Sequence, residues 1–301
     1  MDFFGDLEIA DEQTEKRVSR EDRINRAFEE SKRSYKNERV LTEPGWFNSD
    51  ISVEERLQSS SRAPREVEWS IQQLYLQQQY AKCLQMSTDF LDALDKMADT
   101  SAGAPDEPKQ ELRRRELLDI GIRCALKLDD KQTARQLADR TRPSWRTNAG
   151  LATTAAEAYV LASQPYDAIT ASLDAITFRG PIHPFLSPLR RAVALLQDQH
   201  TRADPAVQDS ARQAAQALHV VLDALDQRAQ ARVRLSLSAK QTGTRAGGEL
   251  PAVPQPTEEH VHAWAEALAI PERDVVRLVR LCCSSDDASE EKDAPRSVRT
   301  L

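Results

Sequence analysis

Glycine and aromatic residues are scarce in this chain, with 9 glycines and 5% Phe, Trp and Tyr among 301 residues. Strands and their tight turns draw on those residue types, so a turn-rich β architecture is excluded and helix is the expected backbone. Cysteine is sparse as well. Cys83, Cys124, Cys282 and Cys283 follow no metal-ligand spacing and are too few to frame a disulfide scaffold, which predicts reduced thiols. No apolar run approaches the roughly 20 residues needed to span a bilayer. The opening Met1 to Glu8 is acidic where a secretory signal needs a basic and then an apolar region. A soluble intracellular protein, cytoplasmic or nuclear, is expected.

The loops that carry common chemistries are missing too. The sequence holds no Walker-type glycine loop, no dinucleotide fingerprint and no nucleophile elbow. His260 and His262 with Cys282 and Cys283 make a poor metal set, because histidines two apart diverge on a helix and the cysteines are adjacent. His183 and His219 stand in no recognisable local relation to an acid or nucleophile. No catalytic residue, metal ligand or cofactor is therefore assigned, and a non-enzymatic role is expected.

What the chain does have is charge and alanine. Charged residues make up 30%, the formal net charge is −7 and the mean hydropathy is −0.60, which predicts ordered helices between polar ends. Residues 1–63 read as a largely disordered arm whose tip sets Phe3, Phe4 and Leu7 among acids. Weak helical spacing follows at Ile24 and Phe28, then a Pro44-Gly45 break and an apolar knot of Trp46, Phe47 and Ile51 able to dock on the main domain. Residues 64–234 carry apolar positions at helical spacing, broken into hairpins at the Pro-rich loop 99–110, at Pro143 and at Gly180-Pro181. Residues 235–256 read as a flexible linker and 257–283 as a small helical hairpin, too small for a core of its own, which must pack back or meet a partner. Residues 284–301 read as a disordered acidic tail.

Within the main domain Ala134 and Ala168 lie 34 residues apart in successive helix pairs. Ala156, Tyr159, Ala168 and Ala175 carry the small, large, small, small order of a tetratricopeptide unit at the family's separations. In the preceding pair Ala125, Ala134 and Ala138 fit, whereas Ile122 and Thr141 depart from the small-residue rule. Cys83 takes the corresponding small position of the first pair, with the loop at 99–110 and its flanks absorbing the extra length. The segment resembles a tetratricopeptide-repeat protein. The fold class expected is all-α, a tetratricopeptide-like α-solenoid of helical hairpins with disordered acidic termini and a small C-terminal hairpin.

That resemblance implies a groove lined by the first helix of each pair, here Arg65, Glu68 and Gln72, then Glu116, Asp119, Arg123 and Lys127, then Thr153 and Glu157. The family's Lys and Asn clamp for C-terminal carboxylates is absent, since those places hold Arg65 and Trp69, Glu116 and Ile120, and Gly150 and Thr154. Between Lys109 and Arg146 stand 11 basic and six acidic residues, a basic second repeat suited to an acidic peptide or helix. The function expected is a protein-protein interaction adaptor or complex-assembly subunit without membrane insertion. Two alternatives rank below it: an RNA-associated helical-repeat subunit using the basic repeat on phosphate, disfavoured by the net negative charge, and an unrecognised enzyme.

Overall fold

A computed structural model describes residues 20, 22–33, 45–60, 62–100, 107–200, 205–242 and 250–283. The chain divides into two units, Met1–Trp46 and Phe47–Leu301. Among the described residues every regular element is helical and there is no strand. In the first unit α1 covers 22–33, with Ile24 and Phe28 both exposed. The acidic N-terminal tip and the tail beyond Cys283 lie outside the described residues.

The second unit starts earlier than the sequence predicts. α2 (Val53–Ser59) falls inside the expected arm, capped by Ser52, whose hydroxyl accepts the Glu55 backbone N–H at 3.3 Å. Val53 and Arg56 are buried, and Arg56 donates to the Phe47 carbonyl at 2.7 Å. Phe47 in turn packs against Trp69, 5.8 Å between ring centroids. Ile51, expected in this knot, is exposed. Burial of Val53 is what draws the segment onto the helices that follow.

Those helices are α3 (Ala63–Leu76), α4 (Tyr80–Thr100), α5 (Glu107–Lys127), α6 (Lys131–Thr141), α7 (Ala149–Leu161), α8 (Pro165–Arg179), α9 (His183–His200) and α10 (Pro205–Thr242). Each packs on the next along the chain, α5 also lies along α7, and α7 along α9. This packing is compatible with a helical repeat. α4 and α5 extend into the expected loop at 99–110 from both sides, and α10 runs through Thr242, well into the stretch whose composition predicts a linker. Its Ser and Thr have only weak propensities against helix, which a helix already nucleated upstream overrides.

The hairpin turns repeat one backbone device. After α3 the N–H groups of Gln77, Gln78 and Gln79 bond the carbonyls of Gln73, Tyr75 and Leu74. The same three bonds end α5 at Leu128, Asp129 and Asp130, and α7 at Ala162, Ser163 and Gln164. The middle residue is left-handed each time, with φ of 60° at Gln78, 56° at Asp129 and 57° at Ser163. This is the helix end that satisfies orphan carbonyls while reversing the chain. Gly180, φ 83°, ends α8 differently, donating to Ile176.

Small residues fill the helix crossings. Ala156, Tyr159, Ala168 and Ala175 are fully buried, as are Ala125, Ala134, Ala138 and Cys83. Such residues let antiparallel helices approach to roughly 8–10 Å. The two departures from that pattern have local explanations. Beside Ile122, Gly121 supplies the missing space, since a Cβ there would lie 3.1 Å from Leu137 Cδ1. Thr141 is buried because its hydroxyl donates to the Ala138 carbonyl at 2.6 Å and accepts the Trp145 indole N–H at 2.7 Å. Trp145 then meets Tyr159 edge-on at 6.0 Å, and the Tyr159 hydroxyl donates to Asp139 at 2.8 Å.

The C-terminal hairpin, α11 (Glu258–Ala267) and α12 (Glu272–Cys283), closes through a fourth copy of the same turn, at Ala269. It packs back, α11 on α10 and α12 on α8. Val261, Ala265, Leu268, Val275, Leu278 and Cys282 join the common core. Beneath them the fully buried Asp274 accepts the Thr170 hydroxyl at 2.7 Å, and Arg277 spans Asp274 at 3.3 Å and Asp174 at 2.9 Å.

Candidate functional site

Side chains projecting from α3, α5 and α7 form two linked polar clusters. In the first, Arg113 of α5 donates to Glu68 of α3 at 2.5 Å, and Glu116 lies nearby. Burial, reinforced by the Glu68 charge, raises the Glu116 pKa above the ordinary carboxylate value. In the second, Arg123 pairs with Asp119 one turn back at 2.8 Å and reaches the Thr154 hydroxyl on α7 at 3.2 Å. Thr154 returns its proton to Asp119 at 2.7 Å. Burial opposes the Arg123 charge, but Asp119 outweighs it, with Tyr75 and Glu157 adding to the same side, so the guanidinium is held above its usual pKa. These bonds tie the first helices of three successive hairpins to one another.

Of the expected groove residues, the structure thus gathers Glu68, Glu116, Asp119, Arg123 and Glu157. Arg65 is exposed, its guanidinium 5.2 Å from the Trp69 ring centroid. Gln72 and Lys127 are exposed. Thr153 makes no bond to these clusters: its hydroxyl donates to the Ala149 carbonyl at 2.8 Å within α7, whereas the hydroxyl of the also buried Thr154 reaches Asp119. The neighbouring Thr154 takes the place expected of it. Arg113 and Tyr75 also belong to the clusters and were not foreseen, although Arg113 precedes Glu116 by three residues and so shares its helix face.

Four basic residues of the second hairpin are paired with neighbouring helices. Arg113 pairs with Glu68, Arg114 with Asp95, Arg140 with Asp95 at 2.6 Å, and Arg142 with Asp167 at 2.8 Å. Within the hairpin Arg115 meets Glu111 and Arg135 meets Asp139. Exposed pairs of this kind contribute about 0–1 kcal/mol each. Their larger effect is to offset part of the local positive field, so the excess counted along the sequence is not spread over one continuous basic surface, although Lys127, Lys131 and Arg146 stay exposed.

Among the described residues no three His, Cys, Asp or Glu side chains are grouped to hold a metal ion. The four cysteines are free thiols, and Cys283 donates to the Pro256 carbonyl at 3.2 Å. No described helix is long and apolar enough to cross a membrane. No protein-family model, curated protein or solved structure shows significant similarity to this chain.

Proposed function

We propose that this chain is a non-enzymatic protein-binding adaptor or assembly subunit, built as a tetratricopeptide-like solenoid whose α3, α5 and α7 present a groove. The observation that carries the reading is the Asp119–Arg123–Thr154 triangle across α5 and α7. It joins the first helices of adjacent hairpins through a partly exposed Asp119–Arg123 pair and the buried Thr154. The recurrence of one left-handed turn at Gln78, Asp129 and Ser163 supports the repeat, because the 34-residue spacing of the last two equals that of Ala134 and Ala168. Along the surface Glu68, Glu116, Asp119 and Glu157 are matched by Arg65, Arg113, Arg123 and Lys127. Equal numbers of both signs favour a partner segment of mixed charge over the purely acidic peptide suggested by the charge count.

The test uses the intact chain as bait in its native extract, beside an Asp119→Lys/Glu157→Lys variant whose unfolding midpoint matches wild type. Loss of a discrete set of captured proteins from the variant alone supports the groove. Identical capture by both chains removes it.

A further inference from the structure

A second surface, independent of the groove, lies where the C-terminal hairpin docks. A cleft of ≈480 Å³ opens between the turn that follows α6, helix α8 and the first turn of α12. Four guanidiniums line it, Arg142, Arg146, Arg273 and Arg277, against one carboxylate, Asp174, with Thr170 in the wall. Asp139, Asp167 and Asp274 pair with these arginines without lining the cleft.

The arginines divide into two fixed and two available. Arg142 is clamped by Asp139 at 3.0 Å and Asp167 at 2.8 Å and lies 5.4 Å from the centroids of Trp145 and Tyr159. Arg277 is clamped by Asp174 and Asp274. Arg273, by contrast, leaves 63% of its side chain exposed and makes one hydrogen bond, to Thr170 at 3.2 Å, beside a 3.6 Å approach to Asp274. Arg146 is exposed and forms no ion pair among the described residues. A guanidinium has five N–H donors, so both retain donors for an incoming group. The Thr170 proton is committed to Asp274, which leaves recognition to the arginines.

Arg146 precedes α7 and Arg273 lies in the first turn of α12, so an anion held between them is approached from two separate elements. A carboxylate offers two oxygens in one plane, well matched to a single fork. A phosphate monoester offers three terminal oxygens arranged tetrahedrally and a charge near −2, and so can satisfy both. We propose that this cleft binds a phosphate monoester group, gripped by Arg146 and Arg273 over the fixed Arg142 and Arg277. Because α12 supplies half of the grip, the site exists only while the C-terminal hairpin is docked.

The experiment is calorimetric titration of the full chain at constant ionic strength with three probes. These are inorganic phosphate, a Gly-Gly-phosphoserine-Gly-Gly peptide, and the same peptide with glutamate at the centre. Saturable binding of phosphate and phosphopeptide is expected, at least tenfold weaker in Arg146→Gln and in Arg273→Gln. Both substitutions lie at exposed positions on different elements, so each checks the other. Tighter binding of the phosphopeptide than of phosphate identifies a phosphorylated side chain as the source, and equal binding identifies the free anion. No saturable binding of either, equal binding of the glutamate peptide, or affinities unchanged in both variants would overturn the proposal.

Discussion

Asp129 and Ser163 occupy the same left-handed position of the same three-bond helix end, one hairpin apart, with φ of 56° and 57°. A left-handed L-residue costs roughly 1–2 kcal/mol, and glycine avoids that penalty while adding unfolded-state entropy. The expected outcome is that Ser163→Gly, Gln78→Gly and Ala269→Gly each stabilise the fold by about 0.5–1 kcal/mol. Asp129→Gly should gain less, because Asp tolerates this conformation better. Urea unfolding midpoints check the order, and a uniform loss of stability would mean that the turns are held by contacts a glycine removes.

The hydroxyl of Thr170 reaches across to α12 and is the shortest bond Asp274 makes, at 2.7 Å. Thr170→Val keeps the shape of the side chain but strips a donor from a carboxylate with no solvent to replace it. The cost expected is about 1–3 kcal/mol. Its signature is local: amide hydrogen exchange should accelerate in α11 and α12 while α5 and α7 keep their protection. Uniform acceleration would instead show that the hairpin and the helices it packs on open together.

Gly121 sits where two effects compete. Alanine in the middle of a helix is favoured over glycine by about 1 kcal/mol, yet its Cβ would stand 3.1 Å from the end of the Leu137 side chain. A flexible terminal methyl can retreat by a few tenths of an ångström, so Gly121→Ala should shift stability by less than about 1 kcal/mol in either direction. Gly121→Leu cannot be absorbed this way and should cost about 1–3 kcal/mol or more. Comparing the two by thermal unfolding separates helix propensity from crossing distance.

Much of the helical layout was legible because it depends on spacing. The periodic apolar runs located α6, α7 and α8 to within a residue or two, and the alanines at 125, 134, 138, 156, 168 and 175 are all buried in the common core. The hairpin turns were not readable as a repeat, since Gln78, Asp129 and Ser163 share a conformation and no side-chain chemistry. α2 was hidden for another reason: its burial rests on Val53 and on Arg56 folding back to the Phe47 carbonyl, a tertiary bond that charged composition disguises. At the candidate site the helical spacing places Glu68 and Glu116 beside Arg113, and Asp119 and Glu157 beside Arg123. A one-residue error put Thr153 in place of Thr154, because successive residues on a helix differ by about 100° and only the cross-helix partner Arg123 decides between them.

Alkaline pH should unfold this protein earlier than its surface charge implies, and Cys282 is a testable part of the reason. Burial, helped by the adjacent Cys283, pushes the Cys282 thiol up to about 12, against roughly 8.5 in an unfolded chain. Burial likewise raises the Tyr159 hydroxyl, and Cys124 is raised by its bond to Cys83 and by burial. For an acid whose folded pKa is raised, the stabilisation is complete below the unfolded value and is lost as pH climbs toward the folded one. The window for Cys282 therefore opens near pH 8.5 and closes near 12, and over it the thiol contributes at most a few kcal/mol. Cys282→Ala should lose some stability at pH 7 through the small cavity it leaves, yet lose less than wild type between pH 8 and pH 10.5. Urea midpoints at the two pH values measure that difference, and an equal fall in both proteins would show that the thiol ionises as readily folded as unfolded.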